Sequence, residues 1–251
     1  MSAGVRTGVF GASAAVLLGL LGWAIAGLPG FGNYPGPYGD VMNRAAVPER
    51  NANNVVTAVT LDYRGLDTIG EEFILFTSVM AVTVLLRKQR REREQAPQDE
   101  AEGRRSPERD DALLVVGVGA TAALMCFGVY IVAHGQLTPG GGFQGGAILA
   151  SGLLVLYLVA GLRAFGRLGS GRLLEALEGV GAGGFVAVGV AGLAAGGAFL
   201  QNVMPLGERG SVDSAGTLPV SYLGVGLAVF AGLTLILVEF LLQLVVIRGD
   251  R

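Results

Sequence analysis

Six long apolar runs, at residues 9–28, 73–86, 113–133, 143–162, 180–200 and 220–247, constrain this chain more than any other feature. A helix rising about 1.5 Å per residue needs roughly 20 residues to cross about 30 Å of hydrocarbon. Backbone polar groups in hydrocarbon must be satisfied internally, so such runs predict helices. The expected fold is therefore all-α, a polytopic membrane protein with about six transmembrane helices. The second run is long enough only if it borrows the turn carrying Leu66 and Ile69. The last exceeds the need and must tilt or project. Composition agrees, with 51% hydrophobic and 15% charged residues, against about 25% charged in an average soluble domain.

The placement of charge sets an expected orientation. Lys and Arg near short loops favour the cytoplasmic side. With the N-terminus inside, 14 of the 18 basic residues fall there and only Arg44, Arg50, Arg64 and Arg209 fall outside. Both termini are thus expected in the cytoplasm. Arg6 before an apolar run ending near Ala24 and Ala26 also fits a secretory leader, but the run is long for one. The net charge of −2 gives no reason to expect nucleic acid. The single cysteine, Cys126, lies in an apolar run and excludes an internal disulfide framework.

Residues 87–111 mix acids and bases with Pro97 and Pro107 and almost nothing apolar, which predicts a disordered cytoplasmic linker. It divides the chain into a two-helix membrane module, 1–86, and a four-helix membrane domain, 112–251. A second polar stretch, 29–54, is expected outside, with Trp23, Tyr34 and Tyr38 as interfacial anchors.

Three constellations are candidates for chemistry. The segment from Asp62 to Glu72 places Asp62, Asp67, Glu71 and Glu72 around Arg64 and Gly70 at the start of the second helix. Asp67 or Thr68 is expected to cap that helix, with Glu71 completing a capping box. The same acids are also candidates for an ion route, because the short span draws them to the membrane boundary, where carboxylates are costly. The second constellation is the connection from His134 through Pro139, Gly140, Gly141, Gly142, Phe143, Gln144, Gly145 and Gly146. It reads as a tight turn followed by a small-residue packing surface. His134, the only imidazole, is either an interfacial hydrogen-bonder or a proton carrier. The third is Glu239, read as the sole ionisable residue deep in an apolar run; it either carries an ion role or makes a structural hydrogen bond. Gly179 to Gly184 fits a dinucleotide fingerprint, yet no strand precedes it. Those glycines are expected to form a packing face instead.

The residues from Tyr130 through His134-Gly135 to Pro139-Gly140-Gly141-Gly142-Phe143-Gln144-Gly145-Gly146 resemble the hallmark of the MnhB/MrpB family, a component of the Mrp (Mnh) multisubunit cation/proton antiporters that is shared with membrane-bound hydrogenase complexes. The segment 53–86 resembles the small two-helix MbhE-like component of the same systems, with Asp62-Tyr63-Arg64 where Asp-Phe-Arg is usual. The resemblance implies a non-enzymatic subunit without cofactor or metal, held in the plasma membrane and partnered by the other antiporter subunits and the lipid bilayer. The ions would be Na+ and H+. It further implies that the chain helps complete a path through Asp67, Glu71, Glu72, His134 and Glu239, because its single lysine, Lys88, lies in the linker. A pure scaffold is the main alternative. A self-sufficient transporter would show internal repeats, and an enzyme would need more converging ligands than one His and one Cys supply.

Overall fold

The computed structural model describes residues 3–28, 30–33, 36–86, 111–161, 164–165 and 171–249, the last eight by backbone alone. All regular structure among them is helical, and six helices are long and apolar enough to cross a membrane. Of the proposed linker 87–111, residues 87–110, Lys88 among them, lie outside the described residues, as does Tyr34; Asp111 already belongs to the following helix.

The chain forms two compact units, Met1–Val41 and Met42–Arg251. The first holds α1, Ala3–Ala26. Within that unit α1 is exposed from Gly4 onward except for the half-buried Ala14. Helix α2, Pro37–Arg50, starts on a proline, which costs no hydrogen bond at a first turn. The second unit continues with α3, Val55–Ala58, a π-helical turn, Val59–Tyr63, and α4, Gly65–Leu85. Then come α5, Asp111–Ala133, α6, Gly142–Ala160, α7, Gly171–Ala194, and α8, Leu218–Gly249.

Helix α8 is the hub: α4, α6 and α7 all pack on it, while α5 packs chiefly on α6. Lipid removes the hydrophobic drive between helices, so close backbone packing has to hold them together. Glycines provide it. A Cβ on Gly145 would collide with Val132 Cγ2 and stand 2.8 Å from Gly128 O, where α6 meets α5. One on Gly146 would meet Gly226 O of α8 at 2.7 Å. One on Gly181 would meet Ala228 N at 2.5 Å and Gly224 O at 2.6 Å, where α7 crosses α8. Of the glycines from Gly179 to Gly184, expected to form a packing face, only Gly181 packs; Gly179, Gly183 and Gly184 face open space.

Two expectations are corrected. The fifth span runs from Gly171 to Ala194 and not over 180–200. Leu173, Leu174 and Leu177 extend it backward, and Gly196, at φ 81°, turns the chain beyond its end. Leu200 lies in the following loop, against Gly65 at the start of α4. The second correction concerns the start of α4. Neither Asp67 nor Thr68 caps it, because the π turn carries the chain in at Gly65 with Arg64 as the cap residue. Thr68 Oγ1 instead donates to Thr60 O at 2.6 Å, tying the first turn back to the π turn.

Candidate functional site

Three connections meet at the end of the bundle where α4, α6 and α8 begin. Asn54 is their clasp. Its Oδ1 accepts from Val56 N and Thr57 N at 3.1 and 3.4 Å and so starts α3. Its Nδ2 donates across the bundle, 2.8 Å from Gly135 O and 2.9 Å from Thr138 O. Thr57 Oγ1 donates to the same Gly135 carbonyl at 2.7 Å, and Asn54 N donates to Gln136 O at 3.0 Å. Gln136 is fully buried; its Nε2 donates to Val212 O at 2.5 Å, and the Tyr222 hydroxyl donates to its Oε1. Asn51 Nδ2 to Gly207 O and Arg209 Nε to Asn53 Oδ1, each 2.9 Å, close the rim.

The His134 to Gly146 segment thus serves mainly as architecture. Gly140 and Gly141 adopt φ of 147° and 133°, a region closed to most side chains. Gly142, Gly145 and Gly146 admit neighbouring helices, Phe143 packs on the core, and Pro139 and Gln144 are exposed. His134 is half-buried, donates through Nδ1 to Tyr130 O at 3.0 Å, and stacks on the Tyr130 ring at 4.1 Å.

The acidic segment separates into three environments. Asp62 pairs with Arg50 of α2, whose guanidinium lies 4.9 Å over the Tyr63 ring. Burial raises the Asp62 carboxyl above the ordinary aspartate range, and Arg50 draws it part of the way back. The Tyr63 hydroxyl donates to Glu49 Oε2 at 2.5 Å; burial, then that bond, push its pKa up to about 12. This cluster locks the approach to α4. Asp67 pairs with Arg64 at 2.5 Å near the surface. Asp67, Gly70, Glu71 and Ile74 then share an exposed face of α4, one turn apart. Glu72 occupies the opposite face with Thr68 and Val79 and is buried.

Sequence reasoning missed one acid. Glu178 of α7 is 4% exposed, on the face formed by Leu174, Gly181 and Phe185. Starting the span at residue 180 had left it outside the membrane; the i, i+4, i+7, i+11 spacing of that face was the available signal. Glu239 is therefore not the only acid within a span. It sits half-buried on α8, close to the end of the apolar window at Leu241. No group of three or more His, Cys, Asp or Glu converges among the described residues.

Comparison with known proteins agrees with this architecture. Residues 113–235 match the family described as a domain related to the MnhB subunit of the Na+/H+ antiporter, and residues 21–102 match the MbhE family of MBH subunits. The uncharacterized protein MJ1307 of Methanocaldococcus jannaschii is 31% identical over 204 residues, 72% of this chain and 74% of the relative. A chain of the archaeal membrane-bound sulfane sulfur reductase superposes with a TM-score of 0.70 and 31% identity, covering 94% of this chain and 98% of that one. A chain of the Mrp complex from Dietzia sp. DQ12-45-1b shares the fold, with a TM-score of 0.69 and 24% identity; the match covers 95% of this chain but 26% of that longer one.

These matches, with the six apolar spans, support a membrane subunit of a cation/proton antiporter-type complex. The chain belongs to the MnhB-related family, and it carries an MbhE-type segment ahead of the MnhB domain.

Proposed function

We propose that this chain is a non-catalytic subunit of a monovalent cation/proton antiporter in the plasma membrane and that its α4 helps form the ion route. The observation that carries this reading is the exposed acidic face of α4. Asp67 and Glu71 stand within an apolar span yet face away from the chain's own core. Carboxylates directed at lipid are costly, so a partner subunit or a water-filled path covers them. Such partners are in keeping with the multisubunit complexes that hold the structural relatives. The basic residues favour both termini on the cytoplasmic side, with 1–86 and 112–251 as modules joined by a charged linker.

The test is sodium/proton antiport in inverted vesicles carrying the whole complex. Glu71→Gln is expected to leave assembly intact and lower antiport by about tenfold or more, with Asp67→Asn losing less because Arg64 already satisfies that acid. Normal antiport in both variants would leave the scaffold reading, which the clasp around Gly135 favours.

A further inference from the structure

Glu72 and Glu178 reach one seam from two sides. Leu75 and Val79, following Glu72 on α4, pack in the same cluster as Leu174 and Leu177 beside Glu178, and Ala231 and Leu235 of α8 complete it. Glu178 Oε1 lies at the gap left by Gly232: a Cβ there would stand 3.1 Å from that oxygen, 3.1 Å from Val79 Cγ2 and 3.7 Å from Leu75 Cγ. The α7 carboxylate therefore meets α4 between Leu75 and Val79, one to two turns beyond Glu72. The two helices run in opposite directions, since Leu200, after the end of α7, packs on Gly65 at the start of α4. Each acid lies seven residues, roughly 10 Å, inside its own helix, counted from opposite ends of the bundle.

Both residues are more than nine-tenths buried, at 6% and 4% exposed, and each leaves its Oε1 without a hydrogen-bond partner among the described residues. Buried polar atoms nearly always find a hydrogen-bond partner, so two unpartnered carboxyl oxygens on one seam call for an account. Among the described residues the charges acting on them are acidic: Glu178 and Glu71 on Glu72, and Glu175 on Glu178. Helix α8 contributes Gly232, Ala231 and Leu235 to the seam, with Glu239 two turns further along. Glu71 and Glu175 are exposed, one at each end of this line of acids.

We propose that Glu175, Glu178, Glu72 and Glu71 form a proton relay through the α4–α7–α8 seam, with the two buried carboxyls as its inner stations. The relay rests on the antiporter reading and takes Glu71 from the exposed face of α4 on which that reading stands, but its inner stations, Glu72 and Glu178, lie on the buried side. A proton enters at one exposed acid and passes to a buried carboxylate. Its transfer to the second buried carboxylate returns the first to its starting charge, and release through the exposed acid at the other end restores the second, so no charge accumulates in the seam.

The whole complex, reconstituted in liposomes with a pH-sensitive dye inside, tests this. Sodium and then potassium are added over a range of pH. Glu178→Gln and Glu72→Gln should each lower cation-driven proton movement about tenfold or more in an assembled complex, and the double variant should be no worse than either alone. Glu178→Asp should retain activity with a displaced pH profile. Gln variants that assemble and exchange like wild type at every pH overturn the relay. If a Gln variant does not assemble, Glu178→Asp decides: a displaced profile supports the relay and a wild-type profile overturns it. Loss in Glu71→Gln alone, with the buried variants normal, refutes the relay and keeps the antiporter reading. Normal exchange in a complex lacking this chain refutes the antiporter reading itself.

Discussion

A Gly181→Leu chain is expected to vanish almost completely from the assembled complex, while Gly183→Leu assembles like wild type. The two positions are two residues apart on one apolar helix, so propensity and hydrophobicity do not separate them. Contact does. A side chain at 181 meets the backbone of α8, Ala228 N at 2.5 Å and Gly224 O at 2.6 Å, and neither atom can rotate aside. At 183 nothing lies within 4 Å. Overpacking costs about 1–3 kcal/mol, and the fixed backbone places this substitution at the upper end. With about 1.4 kcal/mol per tenfold change, the ratio of folded to unfolded subunit should fall by about a hundredfold. Native gels of membranes with matched expression read the outcome. Equal complex in the two variants would mean that α7 and α8 do not cross at these glycines.

Gln136→Leu should be the most damaging single change at the clasped end of the bundle. The amide is fully buried; it accepts from the Tyr222 hydroxyl and donates to Val212 O, with Ser211 O a further, longer acceptor at 3.4 Å. Leucine there strands both. A buried unsatisfied group costs about 1–3 kcal/mol, so the variant should lose about 2–5 kcal/mol. Tyr222→Phe leaves only Gln136 Oε1 bare and should cost less. The informative measurement is the double variant, because Gln136→Leu with Tyr222→Phe no longer strands the hydroxyl. Its loss should be smaller than the sum of the two single losses. Thermal melts of the solubilised complex check this, and additive losses would show that the two side chains act independently.

These two sites also show what could be read from the sequence. The six spans were legible because lipid imposes a length and a composition on each helix. The glycine crossings were legible in kind, since small residues recur where backbones must touch. Their exact members were not: Gly181 and Gly183 look alike until α8 is placed beside them. Gln136 passed unnoticed because its value lies in Val212 and Tyr222, far along the chain. Glu178 was lost to a boundary. An acid at the edge of an apolar run reads as a helix end, and only the leucines before it reveal that the helix continues. The expected cap at Asp67 or Thr68 failed for a related reason, since nothing local announces that a π turn will feed the helix from behind.

The clasp around Gly135 has a consequence for how such a protein can be encoded. Asn54 and Thr57 grip a main-chain carbonyl at the end of the bundle opposite the last turn of α4 at Leu85 and the first turn of α5 at Asp111. Severing the chain within 87–110 would break no contact in that grip. Two genes could supply the halves, and the halves would find each other by the same few bonds; the covalent join then sets stoichiometry and timing of synthesis, not the architecture.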